Sequence, residues 1–130
     1  MIAESDARAW IEAYGQAWVA RDPDRIVRLF TPDATYRERR YQPALTGIDA
    51  IRNYWEVIVA ASQRDVSFEP DFVAVAGDQA VIHWTAQFTW LPINGIMELD
   101  AMNRVTFAGE TLGGLRLATA FEEWIEIREA

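Results

Sequence analysis

The hydrophobic period of this chain changes once, near Asp65, and that change restricts the fold more than any motif does. Before it, apolar residues recur at three- and four-residue spacing: Ala7, Trp10, Ile11, Tyr14, Ala17 and Trp18, then Ile26, Leu29 and Phe30, then Ile48, Ile51, Tyr54, Trp55 and Ile58. After it, apolar and polar residues alternate. The first pattern turns one stripe of a helix inward; the second turns one face of a strand inward. The spacing therefore predicts helices over 5–20, 23–30 and 48–62, and long strands over 66–76, 79–90, 96–107 and 115–128. Helices first and an antiparallel meander afterwards is an α+β plan, in which a curved sheet closes around helices packed on one face. That arrangement leaves a cone with an open mouth.

Local signals punctuate the plan. Ser5 is a candidate cap for the first helix, and Asp22 followed by Pro23 announces the second. Thr31-Pro32-Asp33 ends it, and an extended run follows from Ala34 to Arg40. Pro43 and Gly47 mark the loop into the third helix. Gly77-Asp78 and Asn94-Gly95 supply tight turns between strands, whereas Gly109 to Gly114 reads as a looser connection. With 130 residues and no linker or repeat, one domain spanning 1–130 is expected.

Composition narrows the function. The chain has no cysteine, which removes disulfides, a thiolate nucleophile and cysteine metal sites, and its single histidine removes the usual zinc sets. A net charge of −8, with Arg37, Arg39 and Arg40 as the only basic cluster, argues against nucleic acid, whose phosphates need a basic face. No apolar run is long enough to span a membrane, and no secretory signal opens the chain, so a cytoplasmic location is the default expectation. Six tryptophans and six phenylalanines can fill a core or line a ligand site.

The strand phases sort the polar residues. Leu99, Ala101, Asn103, Val105 and Phe107 share a face, which makes Asn103 the one polar residue among apolar ones. It serves either a structural hydrogen bond or a ligand. Ile82, Trp84, Ala86, Phe88 and Trp90 share the inward face of the preceding strand, so His83 points outward. Ala34, Tyr36 and Glu38 look inward together, and Glu38 is either an ion-pair partner of a neighbouring arginine or a desolvated carboxylate able to take a proton. Near the C-terminus Glu122, Glu123, Trp124 and Glu126 read as a rim or interface group. Tyr14 sits on the buried stripe of the first helix. The expectation is a cavity on which Tyr14, Glu38 and Asn103 converge, walled by Trp18, Tyr36, Trp55 and Trp84.

The segments AWVARDPDRIVRLFTPDATYRE, LTGIDAIRNYW and FEEWIEIR, in that order, resemble the NTF2-like superfamily and its SnoaL-like branch, across essentially the whole chain. The resemblance implies a cone with a sheet on one side and three helices on the other, often paired as a homodimer through the outer sheet face. It marks the fold well and the reaction poorly, because this fold carries many chemistries. Against ketosteroid isomerase, a distant member that pairs a carboxylate base with a tyrosine and a protonated aspartate, the matching positions are Glu38, Tyr14 and Asn103, two of which differ in residue type. An enzyme needing no cofactor, in which Glu38 moves a proton on a small apolar carbonyl compound, is one expectation; a non-catalytic ligand-binding or structural dimer module is the other. An epoxide-hydrolase arrangement would need Asp and Arg facing inward, and the strand phase turns Asp100 and Arg104 outward. A homodimer is expected through the outer face that holds His83, Thr85, Gln87, Glu98, Met102 and Arg104, a polar and apolar mixture suited to a specific interface. Light scattering at micromolar concentration should give twice the chain mass; a monomer mass removes that expectation.

Overall fold

The structure, a computed structural model, describes residues 1–130. The six residues of the first stripe do form one buried helix face: α1 spans Glu4–Val19 and buries all of them together with Gly15. It starts one residue before the expected cap. Ala3 stands at the boundary, and the Asp6 carboxylate accepts the Ala3 N–H at 2.9 Å, so Ser5 lies inside the helix. The second helix, α2, spans Pro23–Val27, and Asp22 caps it by accepting from the N–H groups of Asp24 (3.0 Å) and Arg25 (3.4 Å). It is shorter than the periodicity predicts. The Leu29 carbonyl accepts from the Ala118 N–H (2.8 Å) and from Trp10 Nε1 (3.0 Å), partners that draw the chain out of the helix. Strand β1, Phe30–Arg37, therefore begins four residues earlier than expected.

A two-residue strand, β2 (Leu45–Thr46), pairs antiparallel with β1 and was not foreseen. Helix α3 covers Ile48–Tyr54, and the chain then continues as a π-helical run, Trp55–Ala60, rather than as one regular helix to residue 62. Strands β3 (Gln63–Ala76), β4 (Gln79–Trp90), β5 (Gly95–Leu112) and β6 (Leu115–Glu129) follow. The connection expected to be loose is a tight hairpin, with Leu112 opposite Leu115 and both Gly113 and Gly114 at positive φ. The sheet order is β2-β1-β6-β5-β4-β3, and every neighbouring pair is antiparallel except β1 with β6. Register shifts in β3 flank Pro70, which has no N–H to give the ladder, and shifts in β5 around Phe107 bend the sheet over the helices.

The concave face closes on one hydrophobic cluster of 29 buried residues, which makes it the only large core. Its centre is an aromatic stack: Trp10 on Tyr14, Tyr14 on Phe121, and Phe121 on Tyr36 with ring centroids 4.5 Å apart. No helix is long and apolar enough to cross a membrane.

Close contact between α1 and β3 depends on a missing side chain. A Cβ on Gly15 would lie 2.3 Å from Cδ2 of Phe68. Gly15→Ala should therefore lose about 1–3 kcal/mol to overpacking, which exceeds the gain of up to about 1 kcal/mol from helix propensity. A lower denaturant midpoint with an unchanged slope is the expected result; a raised midpoint would mean that Phe68 yields freely.

Candidate functional site

Between α1, the α3–π segment and the inner sheet face lies a cavity of about 220 Å³. Its wall is mostly aromatic and aliphatic, because the inward positions of the strands and the buried stripes of the helices meet there. Tyr14, Trp18, Tyr36, Glu38, Trp55 and Trp84 all line it. Asn103 does not. It is fully buried but stands one layer behind, where its carbonyl accepts from Trp84 Nε1 and its amide donates to Glu123 Oε1 at 3.2 Å. Alternation gave its face correctly and could not give its depth.

Behind Asn103's bond is the residue that sequence reasoning missed. Glu123 is 3% exposed and lines the cavity. The signal was present, since Phe121, Glu123, Ile125 and Ile127 alternate inward along β6, while Glu122 and Trp124 take the outer face. Outside, Arg104 and Arg40 both pair with Glu122, and Arg40 sits 4.3 Å over the Trp124 ring. Asp100 and Arg104 are outward as read, and His83 holds Asp71 at 2.7 Å and Asp100 at 2.6 Å across three strands of the outer face.

Glu38 has no arginine partner. Arg37 donates to the Gln42 carbonyl and Arg40 to Glu122, while Glu38 Oε2 instead accepts the hydroxyl proton of Tyr54. The strand register explains why Glu38 meets Glu123. Tyr36 lies opposite Phe121 and Arg37 opposite Glu122. The strand ends there, and Glu38 follows in the bend just beyond it, where it lines the same cavity as Glu123.

Two carboxylates in one apolar cavity cannot both ionise cheaply. Burial pushes Glu123 up, the neighbouring Glu38 charge pushes it further, and the Asn103 hydrogen bond and Arg39 only partly offset this, leaving it at about 8. Burial also raises Glu38, opposed by the Tyr54 hydroxyl and by Arg39. Tyr14 and Tyr36 share a hydroxyl–hydroxyl bond of 3.0 Å. Both are pushed well above the usual phenol range, first by burial, and so remain neutral donors. At neutral pH Glu123 thus holds its proton among neutral phenols, and Glu38, which meets the phenolic donor and Arg39, is the readier of the two to give its proton up. Such a set can take a proton from one atom of a bound molecule and give one to another.

The same shift costs stability. A carboxyl raised from 4.5 to about 8 on folding binds its proton more tightly in the native state. Its contribution is complete below the unfolded value and is lost as pH rises through that window. Glu123→Gln, which keeps an acceptor for Asn103, should be more stable than the parent by a margin that grows between about pH 4.5 and about pH 8 and then levels off. Thermal melts across that range check it; a constant margin would mean that Glu123 is ionised in the native state.

Comparison with known proteins gives a family and a fold. Residues 8–119 match the family model described as a SnoaL-like domain. No curated protein is matched by the chain in sequence. Among solved structures, SalBIII, described as an epoxide hydrolase/cyclase-like enzyme in pyran ring formation in the polyether salinomycin, superposes with a TM-score of 0.83 at 19% identity, covering 100% of each chain. A Novosphingobium aromaticivorans protein provisionally assigned as a scytalone dehydratase gives 0.83 at 14% identity, over 97% of this chain and 86% of that one. A type 2 hexachlorocyclohexane dehydrochlorinase, LinA, gives 0.76 at 11% identity, over 98% and 93%. Likeness at these identities extends to the fold alone.

Proposed function

The chain belongs to the SnoaL-like domain family, and we propose that its cavity performs acid–base chemistry on a small, largely apolar carbonyl compound, with Glu38 as base and Glu123 as acid. One observation carries this reading: two glutamates share an apolar cavity in which their environments separate their proton affinities. In the reaction, the Glu38 carboxylate takes a proton from the carbon next to the carbonyl. The C–H electron pair moves into a new C–C double bond, and the carbonyl π pair moves onto oxygen. Glu123 in its protonated form donates to that oxygen, assisted by the Tyr14–Tyr36 hydroxyl pair. Where a β,γ double bond extends the enol, Glu38 returns the proton to the γ carbon and the oxygen gives its proton back to Glu123, which completes an isomerisation. Where a hydroxyl stands on the β carbon, it leaves as water with the proton from Glu38 while the oxygen's proton returns to Glu123, which completes a dehydration.

The relatives support the class without fixing the reaction. Cyclase-like, dehydratase and dehydrochlorinase names stand among proteins of this fold, and eliminating water or hydrogen chloride includes the loss of a proton. Tyr14 and Glu38 keep the roles the sequence suggested for them. Asn103 becomes a positioning residue, acting through the Glu123 carboxyl that it holds.

Deuterium exchange at the carbon next to the carbonyl of α-tetralone, followed in deuterium oxide, tests the proposal without knowledge of the natural substrate. The parent protein should accelerate exchange over buffer, and Glu38→Gln should lower that rate by about 10²–10⁴-fold, the usual size of a general-base contribution. The parent rate should fall as pH passes about 8, where Glu123 loses its proton, and Glu123→Gln should not show that decline. Exchange at the parent rate in Glu38→Gln would remove Glu38 as the base. Binding of the ketone with no exchange would leave a binding module of the same shape.

A further inference from the structure

Three arginines cluster where β1 ends, and the structure commits two of them. The Arg37 guanidinium donates to the Gln42 carbonyl, and Arg40 pairs with Glu122 at 3.2 Å and lies over the Trp124 ring. Arg39 stands between them, exposed, and its side chain makes neither a hydrogen bond nor an ion pair. Its backbone is held, because the Arg39 carbonyl accepts from the Gln42 N–H at 3.2 Å and closes a turn. Among the residues that line the cavity, Arg39 is the only cation. With Glu38 and Glu123 it also lines a surface depression beside Met102 and Trp124, so these three residues mark a place where the cavity meets solvent. The charge of Arg39 lowers the proton affinity of both glutamates, which puts its guanidinium within electrostatic reach of each.

An unpaired guanidinium costs little to keep while it stays in water, and its planar fork of donors matches the two oxygens of a carboxylate. We infer that Arg39 is a specificity-determining residue that receives a single carboxylate on the outer end of the substrate. The molecule that fits has an apolar body, with the reacting carbonyl inside the cavity and one acid group left at the opening. Charge counting sets the limit of one. Glu38 shares the cavity wall, and Glu126 shares the depression, where the other acid, Asp100, is engaged by His83 at 2.6 Å. A monocarboxylate there meets one free cation, whereas a dianion such as a phosphate monoester meets that same cation and more repulsion from the acids. The inference rests on the proposed reading of the cavity as a small-molecule site.

Naphthalene-2-carboxylate and naphthalene-2-carboxamide make a matched pair of probes, alike in shape and different in charge. Both should move the methyl signals of Met97 and Ile125, which line the cavity, in proton–carbon spectra of the parent protein at neutral pH. The carboxylate should bind about three- to tenfold more tightly than the amide, the worth of an ion pair at an exposed site. Arg39→Gln should erase that preference by weakening the carboxylate, and should change the amide by less than about twofold. Arg39→Lys, which keeps the charge and loses the fork, should retain part of it. Naphthyl phosphate should bind the parent no more tightly than the carboxylate; tighter binding would overturn the single-charge limit. If both probes move the methyl signals but bind the parent alike, or if Arg39→Gln weakens both equally, the role of Arg39 is overturned and the cavity reading stands. If neither probe perturbs the cavity signals, both fall.

Discussion

The parallel pairing of β1 with β6 is the constraint on which the rest depends. Tyr36 stacks flat on Phe121, with centroids 4.5 Å apart and planes 7° from parallel, and that contact pins the register of two strands separated by most of the chain. Side chains alternate along a strand, so a slip of one residue would turn Tyr36 and Glu38 outward and bring Arg37 into the core. The register is also unusual in how it is reached. Phe30 lies opposite Ala118, but Thr35 lies opposite Ala120, so the intervening stretch bulges. Pro32 and Asp33 are exposed there, and the Thr31 hydroxyl donates to Asp33 at 3.2 Å. Thr31-Pro32-Asp33 reads from sequence as a turn that ends a helix. It is instead a bulge within a strand, and it sets the register that brings Tyr36 against Phe121.

What was legible follows from how local each cause is. The α1 stripe, the Asp22–Pro23 start of α2 and the β4–β5 hairpin are written within a few residues of themselves, and they appear where expected. The β1–β6 pairing is non-local and leaves no mark in either segment. Neither does the π-helical run, because a five-residue hydrogen-bond spacing has no distinct hydrophobic pattern. Glu123 was obscured by its neighbour. In Glu122-Glu123 either residue is a plausible surface charge, and only the phase carried from Phe121 through Ile125 selects the inward one. Tyr54 was readable as a stripe residue, but its partner Glu38 lies across the connection that carries β2, beyond what spacing can report.

The inner polar groups are satisfied almost wholly by one another. Tyr14 meets Tyr36, Tyr54 meets Glu38, Asn103 bridges Trp84 and Glu123, and Trp18 meets Gln63. This closure lets so many polar atoms sit in an aromatic core without heavy cost, since every one of these groups finds a partner of the opposite kind and the Trp55 indole N–H alone is left without one. It also gives the cavity its rigidity, because a side chain that turns to meet a ligand must abandon a bond already made. Asn103 illustrates the trade. With both ends engaged it cannot address a ligand, yet it keeps the Glu123 carboxyl aimed into the cavity.

The division of labour between the glutamates comes from the donors each one meets. Both are raised by burial, so burial alone does not decide which keeps the charge. Tyr54 gives Glu38 a phenolic O–H, a stronger donor to an anion than the neutral amide that Asn103 offers Glu123. Glu38 also stands partly exposed beside Arg39, whereas Glu123 is sealed against Phe121 and Ile125 on its own strand. Once Glu38 carries the charge, its field raises Glu123 further and stabilises the proton there. The asymmetry therefore reinforces itself: a modest difference in donors between two identical side chains separates their proton affinities, which is what the proposed base and acid roles require.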